Sequence, residues 1–506
     1  MSYVPALHSM QRRGFLLGAA AAAFLSARPS IARAADAGPA ARLLPSDWIA
    51  LERELQGGRI ILPGAKGYLE LSHGYNAAYE NRRPVGIVWC ANARDVAAAV
   101  NWCRVRGIAP KIRGGGHSYA GYSMTDGVMI ATGGITQGAR VNPDGTVWLP
   151  GGLLNRDAYA LLRRHDISLT HGRCLTVGVA GFLLGGGIGF SMRNWGVASD
   201  LLLATEIVLA DGSTVTAELE GAHADLFWAC TGGAGGNFGV NTGFRLKTMP
   251  VSGVSVFHVQ WGFANRKERE VAGTLLRDLT GAENRFGSRL SLKARPAKPD
   301  GQSVAIDLLG QYAGAPSYVE TLLAGAMGVD PPIRKVIRQM AYWDGQDFLG
   351  DEDTLDRFHE RSAFVAGRLS DAALDQAYAF LEDFPGRTPG TVGDFRFFQT
   401  GGKVNEPERD SAFVHRRSEW LMDVGMSWSA ATDVDEMQGC IDWQNRFFER
   451  MWGYGTGGAF QNFPDPALKN PQQAYYGAAL GRLSMVKKAC DPGNMFNYAQ
   501  SVPLAA

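Results

Sequence analysis

Three segments between residues 113 and 239 hold the residue types best placed for chemistry. They are Arg113-Gly114-Gly115-Gly116-His117-Ser118, Gly178-Val179-Ala180-Gly181-Phe182-Leu183-Leu184-Gly185-Gly186-Gly187-Ile188-Gly189, and Gly232-Gly233-Ala234-Gly235-Gly236-Asn237-Phe238-Gly239. Glycine lets backbone N–H groups crowd around an anion, and successive N–H groups form a concave nest for phosphate. Three such loops in one region fit a diphosphate-bearing cofactor. Taken singly, a histidine is more often a structural hydrogen-bonding residue and a cysteine a small buried one. Here His117 lies in the first loop and Cys174 immediately before the second, where a flavin ring continuing from the diphosphate could reach both. None of the loops matches G-x-G-x-x-G: in the second, Phe190 stands where the last glycine belongs. Gly453, Gly455 and Gly458 match formally, but no strand precedes them, so a Rossmann fold is not expected.

The elements that must position these loops can be read from periodicity. Val85 to Cys90 is apolar and extended, Val96, Val100 and Cys103 recur at helical spacing, Gly107 closes that helix, and Lys111-Ile112 opens a strand. This is a right-handed β-α-β start. Asp211-Gly212, between Thr205–Ala210 and Thr214–Ala217, marks a two-residue hairpin turn. Gly232 to Leu246 reads as a loop entering a strand, which makes 35–250 one α+β unit. After Pro250, alternating runs such as Val254–Val259 and Val304–Leu309 with helical stretches such as Ala372–Glu382 predict an antiparallel sheet with helices on one face, suited to cupping a substrate. From Tyr475 onward, helical spacing in Leu480, Leu483 and Val486 ends at Asp491-Pro492-Gly493.

Composition narrows the function classes. The chain has 506 residues, 46 % hydrophobic and 20 % charged, with 50 basic and 49 acidic side chains, so neither a nucleic-acid track nor a polybasic membrane surface is expected. A small molecule is the default partner. Six cysteines do not make a disulfide scaffold, and no zinc spacing occurs, so no metal site is expected. Cys90 and Cys103 could pair after export. Gln11-Arg12-Arg13-Gly14-Phe15-Leu16-Leu17, an Ala-rich run too short to span a bilayer, and Ala32-Arg33-Ala34 read as a twin-arginine signal over 1–34. The expectation is a periplasmic or secreted protein, without stable membrane insertion, exported folded by the twin-arginine machinery. That route suits a cofactor enzyme.

Several motifs together resemble the berberine bridge enzyme-like family over nearly the whole mature chain. They are Arg113–Ser118, Cys174 ahead of Thr176-Val177-Gly178, Gly185–Gly189, Asp225-Leu226-Phe227-Trp228 leading to Gly235–Gly239, and a C-terminal Tyr475-Tyr476-Gly477 with Arg482-Leu483, Val486-Lys487, Asp491-Pro492, Asn494, Phe496 and Gln500-Ser501. The resemblance implies an FAD-binding domain of the vanillyl-alcohol oxidase type (the PCMH-type fold) over 35–250, a substrate domain over 251–455, and a segment over 456–506 that returns to the first. It implies FAD attached through histidine at the 8α position and cysteine at the 6 position, which map to His117 and Cys174. Around that cofactor it places Arg113, Gly114, Gly115, Gly116, Ser118, Val177, Gly178, Gly181, Gly185, Gly186, Gly187, Gly239, Val240, Asn462 and Asn494. Valine at 177 matches the family's oxidases, which implies O2 as electron acceptor and hydrogen peroxide as product.

One position departs from that pattern. Where many members carry Tyr-x-Asn-Tyr, with the second tyrosine as base, this chain has Phe460-Gln461-Asn462-Phe463. Phenylalanine cannot exchange a proton. Either another group serves, with Tyr122, His415 and Tyr454 as candidates, or the substrate needs no base. The expected activity is oxidation of a secondary metabolite, aromatic, alcohol or amine. The alternatives are a carbohydrate oxidase, a dehydrogenase with another acceptor, and a flavin-bearing binding protein without catalysis.

Overall fold

The computed structural model describes residues 38–262, 267–296, 304–351 and 356–506. The export signal expected over 1–34 lies outside them. Helix Ala93–Val105 begins at Asn92, whose side chain accepts from Asp95 N at 3.0 Å, and buries Val96, Val100 and Cys103. Gly107, at φ +64°, ends it in the left-handed region that glycine adopts without strain.

Four strands stand in the order Arg59–Ile61, Gly86–Trp89, Val128–Ala131, Lys111–Arg113. The β-α-β start is present, with Val128–Ala131 inserted between its two strands and parallel to both. All four of its residues are buried, as a central strand requires. A second, five-stranded antiparallel sheet runs Arg140–Val141, Val147–Pro150, Val240–Leu246, Leu202–Val208, Thr214–Glu218. The hairpin at Asp211-Gly212 is present, but its loop has three residues, not two: Leu209 N bonds Ser213 O at 2.9 Å, and Gly212 takes φ +84°.

Seven antiparallel strands form the second unit, in the order Arg334–Ala341, Gly253–Trp261, Val304–Tyr312, Phe286–Ala294, Val392–Gln399, Trp420–Trp428, Arg357–Val365. Strand alternation separates its two faces. Leu308, Leu290, Phe397 and Met422 are register partners on one face, nearly fully buried. Against that face lie helices Glu268–Leu279, Asp371–Glu382 and Val434–Trp452. On the other face the matching row is Asp307, Ser291, Arg396, Asp423 and Ser362. That polar face meets the first unit closely at Gly287, where a Cβ would stand 2.0 Å from Phe190 O.

The C-terminal residues pack back on the first unit. Lys487, fully buried, donates to Asn237 O at 2.6 Å, Phe496 O at 2.5 Å and Asp491 at 2.6 Å, while Val502 N donates to Asn237 Oδ1 at 2.9 Å. Cys90 and Cys103 are separate buried thiols; burial pushes both up, Cys103 to about 12. No described helix is long and apolar enough to cross a membrane.

Candidate functional site

The glycine loops, the polar sheet face and the C-terminal segment enclose a cavity of about 360 Å³. Its first wall comes from two loops in backbone contact. A Cβ on Gly115 would stand 2.3 Å from Gly178 N, and one on Gly178 would stand 2.3 Å from Gly115 N, so only glycine at both positions permits this approach. His117 crosses the same seam, with Nε2 2.8 Å from Thr176 Oγ1 and its ring stacked on Tyr75 at 4.0 Å. Burial, aided by the Arg113 charge, lowers its pKa to about 4, so the imidazole is neutral at ordinary pH. Cys174 is fixed through its backbone: Asn155 Nδ2 donates to Cys174 O at 3.0 Å, and Tyr159 Oη donates to Gly172 O at 2.9 Å.

The opposite wall carries Arg289, Arg396 and Phe398 from the seven-stranded sheet. Arg396 contacts both Asp423, on the adjoining strand, and Glu360, one strand further on. Glycine at 425 leaves room for this cluster, because a Cβ there would lie 2.4 Å from Glu360 Oε2. Burial raises the Glu360 carboxyl well above the usual carboxylate range, and Arg396 only partly opposes it. Desolvating two acids on one arginine favours one shared proton. Asp423 Oδ1 has no hydrogen bond among the described residues. Between the walls, Tyr119 stacks on Phe463 at 5.0 Å, and Phe463 meets Phe460 at 5.1 Å. Burial raises the Tyr119 phenol strongly, with Glu360 adding to it, so this phenol keeps its proton.

Of the residues expected at the site, Gly114, Gly115, Gly116, His117, Ser118, Cys174, Val177, Gly178, Gly181, Gly239, Val240 and Asn462 line the cavity. Arg113 lies under the first loop, against Gly116. Gly185, Gly186 and Gly187 give close packing against Asn462, Phe413 and Phe182. Asn494 takes φ +50° in the C-terminal turn. Among the candidate bases only Tyr122 lines the cavity, and burial raises its phenol. His415 and Tyr454 are corrected. His415 Nε2 lies 3.1 Å from Tyr475 O, its ring stacks on Phe364 at 4.1 Å, and burial lowers its pKa to about 3. Tyr454 donates to Gln376 Oε1 at 3.2 Å, away from the cavity. Sequence reading missed Tyr75, Arg173, Arg289, Asp351 and Arg396 on the lining, with Glu360 and Asp423 behind it. It also missed Tyr119, which only its place two residues after His117 could have flagged.

The cavity fits a long anionic cofactor. Arg113 Nη1 is buried without a hydrogen bond among the described residues, and burial lowers the Arg113 guanidinium to about 10. Gly114, Gly181 and Gly236 open onto free space, with nothing within 4 Å of an added Cβ. Backbone N–H groups can therefore approach a diphosphate along the loops, leaving the ring end beside His117 and Cys174.

Comparison with known proteins agrees with that geometry. The family described as FAD binding domain matches residues 84–218, and that described as berberine and berberine like matches 459–503. An uncharacterised FAD-linked oxidoreductase of Bacillus subtilis, YgaK, is 28 % identical over 90 % of this chain and 98 % of its own length. BBE-like 1 of Physcomitrella patens superposes with a TM-score of 0.79 at 26 % identity, covering 90 % of this chain and 99 % of that one. Glucooligosaccharide oxidase from Acremonium strictum, described with a 6-S-cysteinyl, 8α-N1-histidyl FAD, superposes with a TM-score of 0.75 at 22 % identity, covering 89 % and 98 %, and shares the fold.

Proposed function

The chain belongs to the berberine bridge enzyme-like family of FAD-linked oxidoreductases, and from that footing we propose that it is an exported oxidase with FAD bonded to both His117 and Cys174. One observation carries the reading: the two loops bearing these residues touch through Gly115 and Gly178 and open onto a single cavity. FAD supplies the two-electron chemistry when bound, and O2, reduced to H2O2, is the acceptor proposed here. The protein holds the donor carbon near the flavin and excludes water. A neutral His117, fixed by Thr176 and Tyr75, presents a ring nitrogen in one orientation.

Phe463 offers no proton acceptor, which favours a substrate that needs no base, such as an amine with a free lone pair. Asp423 and Glu360 lie behind the lining and hold Arg396 at the wall, with Glu360 keeping its proton. Tyr119, Phe398 and Phe463 make an aromatic wall, which favours an aromatic, alcohol or amine substrate. The second reading is a carbohydrate, for which Arg289 and Arg396 on the polar wall offer hydroxyl-binding donors. The test is intact mass after denaturation, with oxygen uptake across both substrate sets. Wild type and each single variant, His117→Ala and Cys174→Ala, should retain the FAD mass, and the double variant should lose it. Wild type without added mass would sink the two-bond reading. Peroxide production from oligosaccharides alone would select the second substrate class. Export over 1–34 is tested by periplasmic fractionation of Arg12→Lys/Arg13→Lys, which should remain in the cytoplasm.

A further inference from the structure

We propose that Asp351 is the base that takes the thiol proton of Cys174 as its sulfur joins the flavin, and that Arg173 positions that carboxylate. The inference rests on the reading of FAD held at Cys174 and deepens it. Cys174 Sγ points at Asp351 Oδ2 across 3.8 Å. The other carboxylate oxygen contacts Arg173 Nη2, and Arg173 Nε donates to Leu349 O at 2.7 Å. Asp351 N in turn reaches Arg173 O at 3.4 Å. The carboxylate thus comes from the second unit, just beyond helix Tyr342–Leu349, and is strapped to the loop that carries the cysteine. Arg173, Cys174 and Asp351 all line the cavity. An independent sign of a ligand is Arg113 Nη1, buried beneath the glycine loop that bears His117 and without a hydrogen bond among the described residues.

A thiol is a poor nucleophile until it loses its proton, and its ordinary pKa of about 8.5 leaves little thiolate at neutral pH. Neither nearby histidine serves. His117 Nε2 is engaged by Thr176 Oγ1, and both nitrogens of His171 are committed, Nδ1 to Gly172 O at 3.0 Å and Nε2 to Tyr342 Oη at 3.0 Å. A carboxylate in contact with the sulfur meets the need. In the balanced step an Sγ–C6 bond forms, the S–H proton goes to Asp351, and the C6 hydrogen leaves as a proton. Two electrons pass through the ring system to O2, which with the two protons becomes H2O2.

The test uses full-length His117→Ala, in which Cys174 is the sole link, produced in flavin-poor medium and mixed with excess FAD in air. Acid-precipitable flavin and intact mass follow bond formation, while fluorescence follows reversible FAD binding. Asp351→Asn in this background should bind FAD normally yet form the bond about a hundredfold more slowly at pH 7. Its rate should recover about tenfold per pH unit towards the thiol pKa of about 8.5, as thiolate forms unaided. Asp351→Glu should retain most of the rate. Bond formation by Asp351→Asn at the parent's rate overturns this role and leaves the cysteine link standing. A loss that high pH does not restore also overturns it, since a merely structural defect is blind to thiol ionisation. A parent that never acquires covalent flavin overturns both the role and the link.

Discussion

The two faces of the seven-stranded sheet are built from the same strands and put to opposite uses. On one, Leu290, Leu308, Phe397 and Met422 meet as register partners beneath the helices and stabilise by leaving water. On the other, one residue along each strand, Ser291, Arg396, Asp423 and Ser362 form a row that burial penalises unless every charge is matched. Asp394 Oδ1, Asp423 Oδ1 and Arg396 Nε on that face lack hydrogen bonds among the described residues. A protein selected only for stability would fill those positions with apolar side chains. Their presence holds the Arg396 guanidinium at the cavity wall, with the stability this face forgoes supplied by the face behind it.

That contrast can be broken most directly at Asp423. Asp423→Asn should lower kcat/KM by about tenfold on the best substrate, measured per covalent flavin, because Arg396 at the cavity wall loses an ion pair. Its Tm should fall modestly, because the neutral amide still accepts a hydrogen bond from Arg396 but no longer matches its charge. A Tm collapse with normal turnover would reverse the assignment of the two faces. Phe397→Ala should behave in the opposite way, costing about 3–5 kcal/mol of stability with turnover per flavin near wild type. Calorimetry beside oxygen uptake checks both. Phe463→Tyr places a phenol beside Tyr119, and hydroxyl-bearing substrates should then turn over about tenfold faster. No gain would mean that the substrate needs no base at this position. Glu360→Gln sharpens the comparison by pH. The folded-state pKa of Glu360 is raised, so folding is favoured below its unfolded value of 4.5 and loses that contribution as pH rises towards the folded value. The Tm of the variant minus that of wild type should therefore increase from pH 4.5 upward, and a flat difference would show that Glu360 carries no raised pKa.

The apolar face was legible in the sequence because alternation is a local signal: Val254–Val259 and Val304–Leu309 announced strands, and Ala372–Glu382 announced a covering helix. The glycine loops around His117 and Cys174 were legible for the same reason, being short and dense in one residue type. The acid cluster was not. Glu360 and Asp423 stand 36 and 27 residues from Arg396, and only strand register puts them side by side. Asp351 is 177 residues from Cys174, and no local pattern predicts that meeting. His415 and Tyr454 are claimed by burial and by neighbouring acceptors, which sequence position alone does not reveal. The inserted strand Val128–Ala131 reads locally as one more apolar run, and its central place follows from pairing alone.

The buried Lys487 fastening sets an order of events during synthesis. The glycine loop ending at Gly239 is clasped through Asn237 by Lys487 and Val502, residues that leave the ribosome some 250 or more positions later. That part of the cradle cannot be finished while the chain is still being made. Nascent protein must wait, with its first unit partly assembled, until its tail has emerged. Chains stalled before residue 487 should be poor flavin captors, whereas released chains can close the clasp in a single late step.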